Sequence, residues 1–212
     1  MTQLTEPSDQ RLAKGARARA TIARRAAELA SVEGLDGLSI GRLATDLGIS
    51  KSGIATLFGT KEALQLAAVQ AGRDIFIERV IAPGLRVPRG GTRVRAMIDG
   101  WFAHIENPPF PGGCFRVATL TEFSSKPGPV RDAVVADHDY WLSFLADEVR
   151  KAQAMGELAD ADPDLLVFEL DAIVSAANVA RQTGDSARVE AARTIATRLL
   201  SEAPSEIQPG RL

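Results

Sequence analysis

Proline placement constrains this chain more than any other feature of its sequence. After Pro7 no proline occurs until Pro83; Pro108, Pro109 and Pro111 then cluster, Pro127 and Pro129 form a pair, and Pro163 stands alone before Pro204. Within a helix, proline removes a backbone donor and its ring collides with the carbonyl four residues back. Long proline-free intervals are therefore where helices can run. The apolar residues in those intervals recur at i, i+3, i+4 and i+7. Residues 9–33 align Ile22, Ala26, Leu29 and Ala30, and 61–81 align Leu64, Ala67, Ala71 and Ile75. Residues 91–106 align Val94, Met97, Ile98, Trp101, Phe102 and Ile105, and 129–155 align Val134, Trp141, Leu145 and Val149.

The punctuation between these stretches agrees. Gly128-Pro129 and Asp162-Pro163 have the form of a cap followed by proline at a helix start, and Gly156 and Gly184 stand where helices should stop. No sustained alternation of apolar and polar residues marks a strand, although Phe115-Arg116-Val117-Ala118 has the look of a short one. The expectation is an all-α protein of about nine helices.

Composition excludes some function classes. With 45% hydrophobic and 25% charged residues, a chain of 212 residues has material for a substantial core. The formal charge of −2 gives no sign of a polyanionic partner. Its distribution says more: residues 1–62 carry 9 Lys+Arg against 7 Asp+Glu, and the remainder 16 against 20. Arg11, Lys14, Arg17, Arg19, Arg24 and Arg25 crowd the first helix, where they either reach phosphates or form a solvated face. The single cysteine, Cys114, rules out an intrachain disulfide. With no signal-peptide run and no apolar span of about 20 residues, the expected location is the cytoplasm, without membrane contact.

The informative stretch is SIGRLATDLGISKSGIATLFGTKEAL, residues 39–64. Ser39 can cap a short helix that buries Ile40, Leu43, Ala44 and Leu47 on one face. Gly48 supplies a tight turn and Ile49 plugs the corner. Ser50 caps a second short helix that buries Ile54, Leu57 and Phe58. Gly59-Thr60 breaks it, and a long helix follows. Two short helices joined at a glycine form a helix-turn-helix, whose second helix enters the major groove of DNA.

The details go further. A first helix of about 20 residues, the link Glu-Gly-Leu-Asp-Gly-Leu-Ser, then Gly-Ile-Ser-Lys-Ser-Gly and Phe-Gly-Thr-Lys-Glu-Ala-Leu together resemble the DNA-binding domain of the tetracycline-repressor (TetR) family over residues 14–65. The resemblance implies a DNA-binding region at 1–62, with an N-terminal arm, and a helical effector-binding and dimerisation region at 63–212. It implies a ligand-responsive transcriptional regulator, a repressor released from a palindromic double-stranded operator by a small, mostly apolar effector. Residues implied at the DNA are Lys51, Ser52, Gly53 and Thr56 of the recognition helix, Ser39, Arg42 and Thr45 of the preceding one, Ser50 as cap first and contact second, and Lys61 as a phosphate contact. The sequence departs from the family pattern at Ala55 and Leu57, where many members carry Tyr and His or Tyr; a hydroxyl or ring contact to DNA is missing at each.

In the body, family position suggests a pocket lined by Trp101, Phe102, His104, Phe115, Phe123, His138, Trp141, Phe144, Phe168 and Asn178. Core filling is the plainer account of any one of them. His104, Cys114 and His138 lack metal-ligand spacing, so no metal and no cofactor is expected. Cys114 stands at an expected helix start, which leaves redox sensing open beside the plainer reading of a buried inert thiol. The resemblance also implies a homodimer through the last two helices, about 163–202. There one helix offers Ala172, Ala176, Ala177 and Ala180 and the final helix Val189, Ala192, Ile195, Ala196, Leu199 and Leu200, stripes that packing within one chain would also explain. The only covalent connection expected between the two regions is the helix 61–81. An enzyme is not expected: HExxH, GxSxG and phosphate-loop motifs are absent. A helical ligand-binding or scaffold protein that has lost DNA binding is the alternative, and Ala55 and Leu57 are its support.

Overall fold

Ten α-helical segments succeed one another in the computed structural model, whose described residues are 7–201, with side chains from Leu12 onward. They are α1 (Pro7–Glu33), α2 (Ile40–Leu47), α3 (Lys51–Phe58), α4 (Lys61–Phe76), α5 (Ala82–Leu85), α6 (Gly91–Glu106), α7 (Phe115–Phe123), α8 (Pro129–Ala154), α9 (Pro163–Gln182) and α10 (Ser186–Leu199). A π-helical turn, Ile77–Ile81, joins α4 to α5 without a break, so the described residues form nine helical rods and no strand. Residues 1–6, where the expected N-terminal arm begins, the Arg11 side chain and residues 202–212 lie outside the described residues.

Local chemistry accounts for most of these boundaries. The Asp162 side chain accepts from the Asp164 and Leu165 amides, and Pro163 occupies the first turn of α9, where its missing N–H costs nothing. Pro83 can make no bond to the carbonyl of Arg79, and the wider i→i+5 bonding just before it, with the Ala82 N–H on Ile77, lets the rod continue. Residues 115–118 are not a strand. They open α7, because Phe115, Thr119 and Phe123 recur at helical spacing and are all buried.

Packing divides the chain into two compact units. One comprises the residues up to Ile75 together with Phe110–Val135; the other comprises Phe76–Pro109 and Ala136 onward. Each unit is therefore assembled from segments distant in sequence. Leu64, Ala68 and Ile75 of α4, Phe115 and Phe123 of α7, and Val130 and Val134 of α8 share one core with Ile22, Ala26, Leu29 and Leu43. Close approach fixes the entry to α7. The Ser31 hydroxyl oxygen accepts from the Gly112 amide at 3.1 Å, and a Cβ at Gly112 would lie 1.7 Å from the Ser31 carbonyl oxygen. The chain passes between the units three times, after residues 75, 109 and 135, so the α4 rod is not the only covalent route.

In the second unit, α6 buries Val94, Met97, Trp101, Phe102 and Ile105, α8 buries Trp141, Leu145 and Val149, and α10 lies against α9. Side chains of this size contribute about 1.5–3 kcal/mol each when fully buried. A buried ion pair crosses this core, with Arg93 Nη1 3.3 Å from Glu148 Oε2 and Arg93 Nε donating to the Val87 carbonyl. No helix among the described residues is long and apolar enough to cross a membrane.

Candidate nucleic-acid interface

The segment 39–61 folds as its capping residues dictate. The Ser39 hydroxyl accepts from the Arg42 amide at 3.1 Å and starts α2. Gly48 ends it in the left-handed region (φ 64°), with its N–H on the Ala44 and Thr45 carbonyls, a conformation that costs other residues about 1–2 kcal/mol. Ser50 extends (ψ 143°) and caps α3, accepting from Gly53 N at 3.1 Å and from the Ser52 hydroxyl at 3.2 Å. Ile54 and Phe58 face inward, while Lys51, Ser52, Gly53, Ala55 and Thr56 are exposed. The second helix is thus anchored along one apolar edge and presents a polar, basic N-terminal half to solvent.

The cations of this surface are held in place. Arg42 Nη2 lies 2.7 Å from Glu33, which raises the Arg42 pKa. Arg25 forks onto Asp46, with Nη2 2.9 Å from Oδ1, and holds that carboxyl below its ordinary range. Arg25 is therefore committed to an internal pair. Lys61 Nζ donates to the Asp36 carbonyl at 2.6 Å. Lys51 is exposed, its stem lying over Gly41. The Thr45 and Thr56 hydroxyls turn back onto the carbonyls of Gly41 and Ser52 in their own helices.

Several contacts were missed in the sequence. Arg19 of α1 donates through Nη1 to the Leu57 carbonyl, and its guanidinium lies 4.4 Å from the centre of the Phe58 ring. The Glu122 carboxylate of α7 accepts from the Leu35 and Asp36 amides at 2.8 and 2.9 Å. Lys126, one turn further on, pairs with Asp36 and lowers its pKa. Gln65 Nε2 donates to the Leu35 carbonyl at 2.7 Å, so the joint between α1 and α2 is gripped by both α4 and α7. The clustered arginines hinted at a role for α1. Nothing local pointed to Glu122.

Residues 90–196 match the family described as "Tetracyclin repressor-like, C-terminal domain". The chain belongs to the TetR family. Its members are transcriptional regulators, not enzymes. A TetR regulator from Chloroflexus aurantiacus is 26% identical, with TM-score 0.80 over 89% of this chain and 97% of that one. AibR, solved in complex with isovaleryl coenzyme A and operator DNA, is 20% identical (TM-score 0.69, 87% of this chain, 99% of AibR). A regulator from Saccharomonospora viridis, solved in complex with choline, is 22% identical (TM-score 0.70, 87% and 96%). These last two share the fold. A search of curated proteins found no match.

The second unit gathers only part of the expected pocket set. Trp101, Trp141 and Phe76 pack edge to face at centroid distances of 5.1–5.8 Å, with His104 on Phe76 and Phe144 beside Trp141. Phe76, at the end of α4, was not anticipated. The indole N–H groups of Trp101 and Trp141 are buried with no acceptor among the described residues. Asn178 is buried, and His138 Nε2 lies 3.6 Å from Asp171. Phe102 stacks under Arg193 at 4.6 Å. Phe115 and Phe123 belong instead to the core of the first unit, and Phe168 is 67% exposed on the outer face of α9. Cys114 is fully buried. No cluster of three His, Cys, Asp or Glu among the described residues is disposed to hold a metal ion.

The small-residue stripes of α9 and α10 divide in two. Ala177, Ala180, Val189, Ala192, Ala196 and Leu200 are buried within the chain. Leu165, Phe168, Ala172, Ala176 and Val179 form an exposed line along α9, at steps of three and four residues. Beside it, a groove of about 530 Å³ runs between α9 and α10, lined by Ile173, Ala176, Val179, Ala191 and Ile195 among others.

Proposed function

We propose that the protein is a homodimeric, effector-responsive repressor that binds a palindromic operator through α3 of each subunit. The observation that carries this reading is α3 itself: capped by Ser50, buried along Ile54 and Phe58, with Lys51, Ser52, Gly53 and Thr56 exposed on the opposite side. Those four residues supply the groove contacts. Ser39, Arg42, Thr45, Ser50 and Lys61 supply backbone contacts, and Lys61 exchanges the Asp36 carbonyl for a phosphate. The region 1–62 carries the DNA contacts and 63–212 the effector and dimer functions. The protein acts in the cytoplasm, where its operator is.

The exposed apolar line on α9 supports the dimer, since five consecutive apolar positions at helical spacing on one outer face need a partner. Two copies of α3 about one DNA turn apart, ~34–36 Å, enter successive major grooves. The effector is mostly apolar and seats against Trp101, Trp141, Phe144 and Asn178, with an acceptor for the buried indole N–H groups, each of which costs about 1–3 kcal/mol when left unmade. It binds more tightly to a conformer with the wrong α3 spacing and lowers operator affinity by that difference. The complex of AibR with isovaleryl coenzyme A and operator DNA supports the pairing of a small molecule with DNA, and that of the S. viridis regulator with choline supports the small molecule alone.

The test is in vitro selection of DNA duplexes from a random pool, followed by salt titration of the tightest one. A palindromic consensus with salt-dependent binding is expected, and Lys61→Ala should reduce the slope of log K against log salt by about 1. Failure to enrich any sequence would remove the regulator reading in favour of a scaffold, and an unchanged slope would remove Lys61 from the phosphate set.

A further inference from the structure

We infer that Arg19 is a positioning residue for sequence recognition: it holds the C-terminal end of α3 against α1 and so fixes the angle at which the exposed N-terminal half of α3 meets DNA. The inference rests on the reading of α3 as the recognition helix.

A two-turn helix has little to orient it. Its N-terminus is set by the Ser50 cap and the turn at Gly48. Its C-terminus must satisfy the last four carbonyls, which have no partner within the helix. The Gly59 amide takes the Ala55 carbonyl at 2.8 Å and the Thr60 amide takes the Phe58 carbonyl at 2.8 Å, both from the chain that continues α3. The Leu57 carbonyl is taken by Arg19, 38 residues earlier on α1. That bond ties α3 to another rod instead of merely ending it.

The guanidinium makes a second contact at the same point, its central carbon 4.4 Å from the centre of the Phe58 ring, in a residue that is 5% exposed. One side chain thus reads both the backbone and the side chain of the last turn of α3. A positive charge at a helix C-terminus also complements the negative end of the helix dipole. The arrangement needs arginine. A planar fork can donate to a carbonyl through one nitrogen while the rest of the group lies over a ring; a lysine ammonium keeps the charge and loses the fork.

Arg19 is also exposed, and its charge lies on the unit that meets DNA. A simple phosphate contact is the competing account, and Arg19→Lys separates the two. The full-length protein, Arg19→Lys and Arg19→Ala are each titrated with the tightest duplex selected by the parent protein and with a random-sequence duplex of equal length. Thermal midpoints and salt slopes are recorded alongside. Positioning predicts that both variants lose about tenfold on the selected duplex, with little change on random DNA and an unaltered salt slope. The thermal midpoint should stay close to the parent's, because the contact is exposed. A phosphate contact predicts parent-like binding by Arg19→Lys and a slope lower by about 1 for Arg19→Ala; either result would overturn the inference. Equal losses on both duplexes, accompanied by a fall in midpoint, would reduce Arg19 to a stabilising contact and overturn it too. If the parent protein selects no duplex, the failure lies with the regulator reading instead.

Discussion

Replacing Glu122 by glutamine is the most direct test of how α7 holds the DNA-binding helices. In the parent, two carboxylate oxygens accept from two consecutive amides, Leu35 at 2.8 Å and Asp36 at 2.9 Å. Glutamine keeps one oxygen for one amide and turns an NH2 group toward the other, donor against donor. A backbone N–H left unsatisfied in a buried site costs about 1–3 kcal/mol. The Glu122 side chain is 21% exposed, so water relieves part of that, and about 1–2 kcal/mol is the expected loss. The exposed Lys126–Glu122 pair at 3.6 Å adds only about 0.3–0.5 kcal/mol. At about 2–4 °C per kcal/mol for a chain of this size, the midpoint of the transition that includes the first unit should fall by about 3–10 °C. Urea denaturation followed by far-UV circular dichroism measures the loss, and amide hydrogen exchange at Leu35 and Asp36 locates it. Glu122→Ala should be no more damaging than Glu122→Gln, because truncation admits water to both amides. Unchanged protection at residues 35 and 36, or stability within about 0.3 kcal/mol of the parent, would refute the argument.

Two further expectations concern the dimer and pH. Val179 is 58% exposed on the outer line of α9, so Val179→Asp should leave the helical content of a subunit intact yet place an unpaired carboxylate in the proposed dimer face. Sedimentation should then shift from dimer to monomer, and a dimer that survives the change would sink that assignment. The carboxyls of Asp46 and Asp36 titrate below their ordinary value, Asp46 through the hydrogen bond from Arg25 and Asp36 through that from Lys126. A folded value below the unfolded one means that their stabilisation is complete above the unfolded value of about 3.9 and is lost as pH falls through the folded one. The acid limb of stability against pH should therefore flatten in Asp46→Asn, and a limb identical to the parent's would show that the Arg25–Asp46 pair contributes nothing.

Proline spacing, the caps at Ser39, Ser50 and Asp162 and the stop at Gly48 fixed nearly every rod, and with them the helix-turn-helix, because such signals act between residues a few positions apart. The ambiguous stretch was 115–118, where four mixed residues carry no period long enough to separate strand from helix until Thr119 and Phe123 are counted. The grouping of rods was not legible. Phe115 and Phe123 joined the core around α1 instead of the aromatic cluster of Trp101, and Phe168 turned outward, since an aromatic at helical spacing shows that a face is buried without showing against what. The sequence by itself determined which segments are helical and which short helix stands second in the helix-turn-helix. Only the tertiary structure decided how that helix is held, through Arg19 on Leu57 and Glu122 on Leu35, 38 and 87 residues apart. Contacts across such separations leave no periodic trace, because they are chosen by packing of the whole unit and not by the backbone on either side.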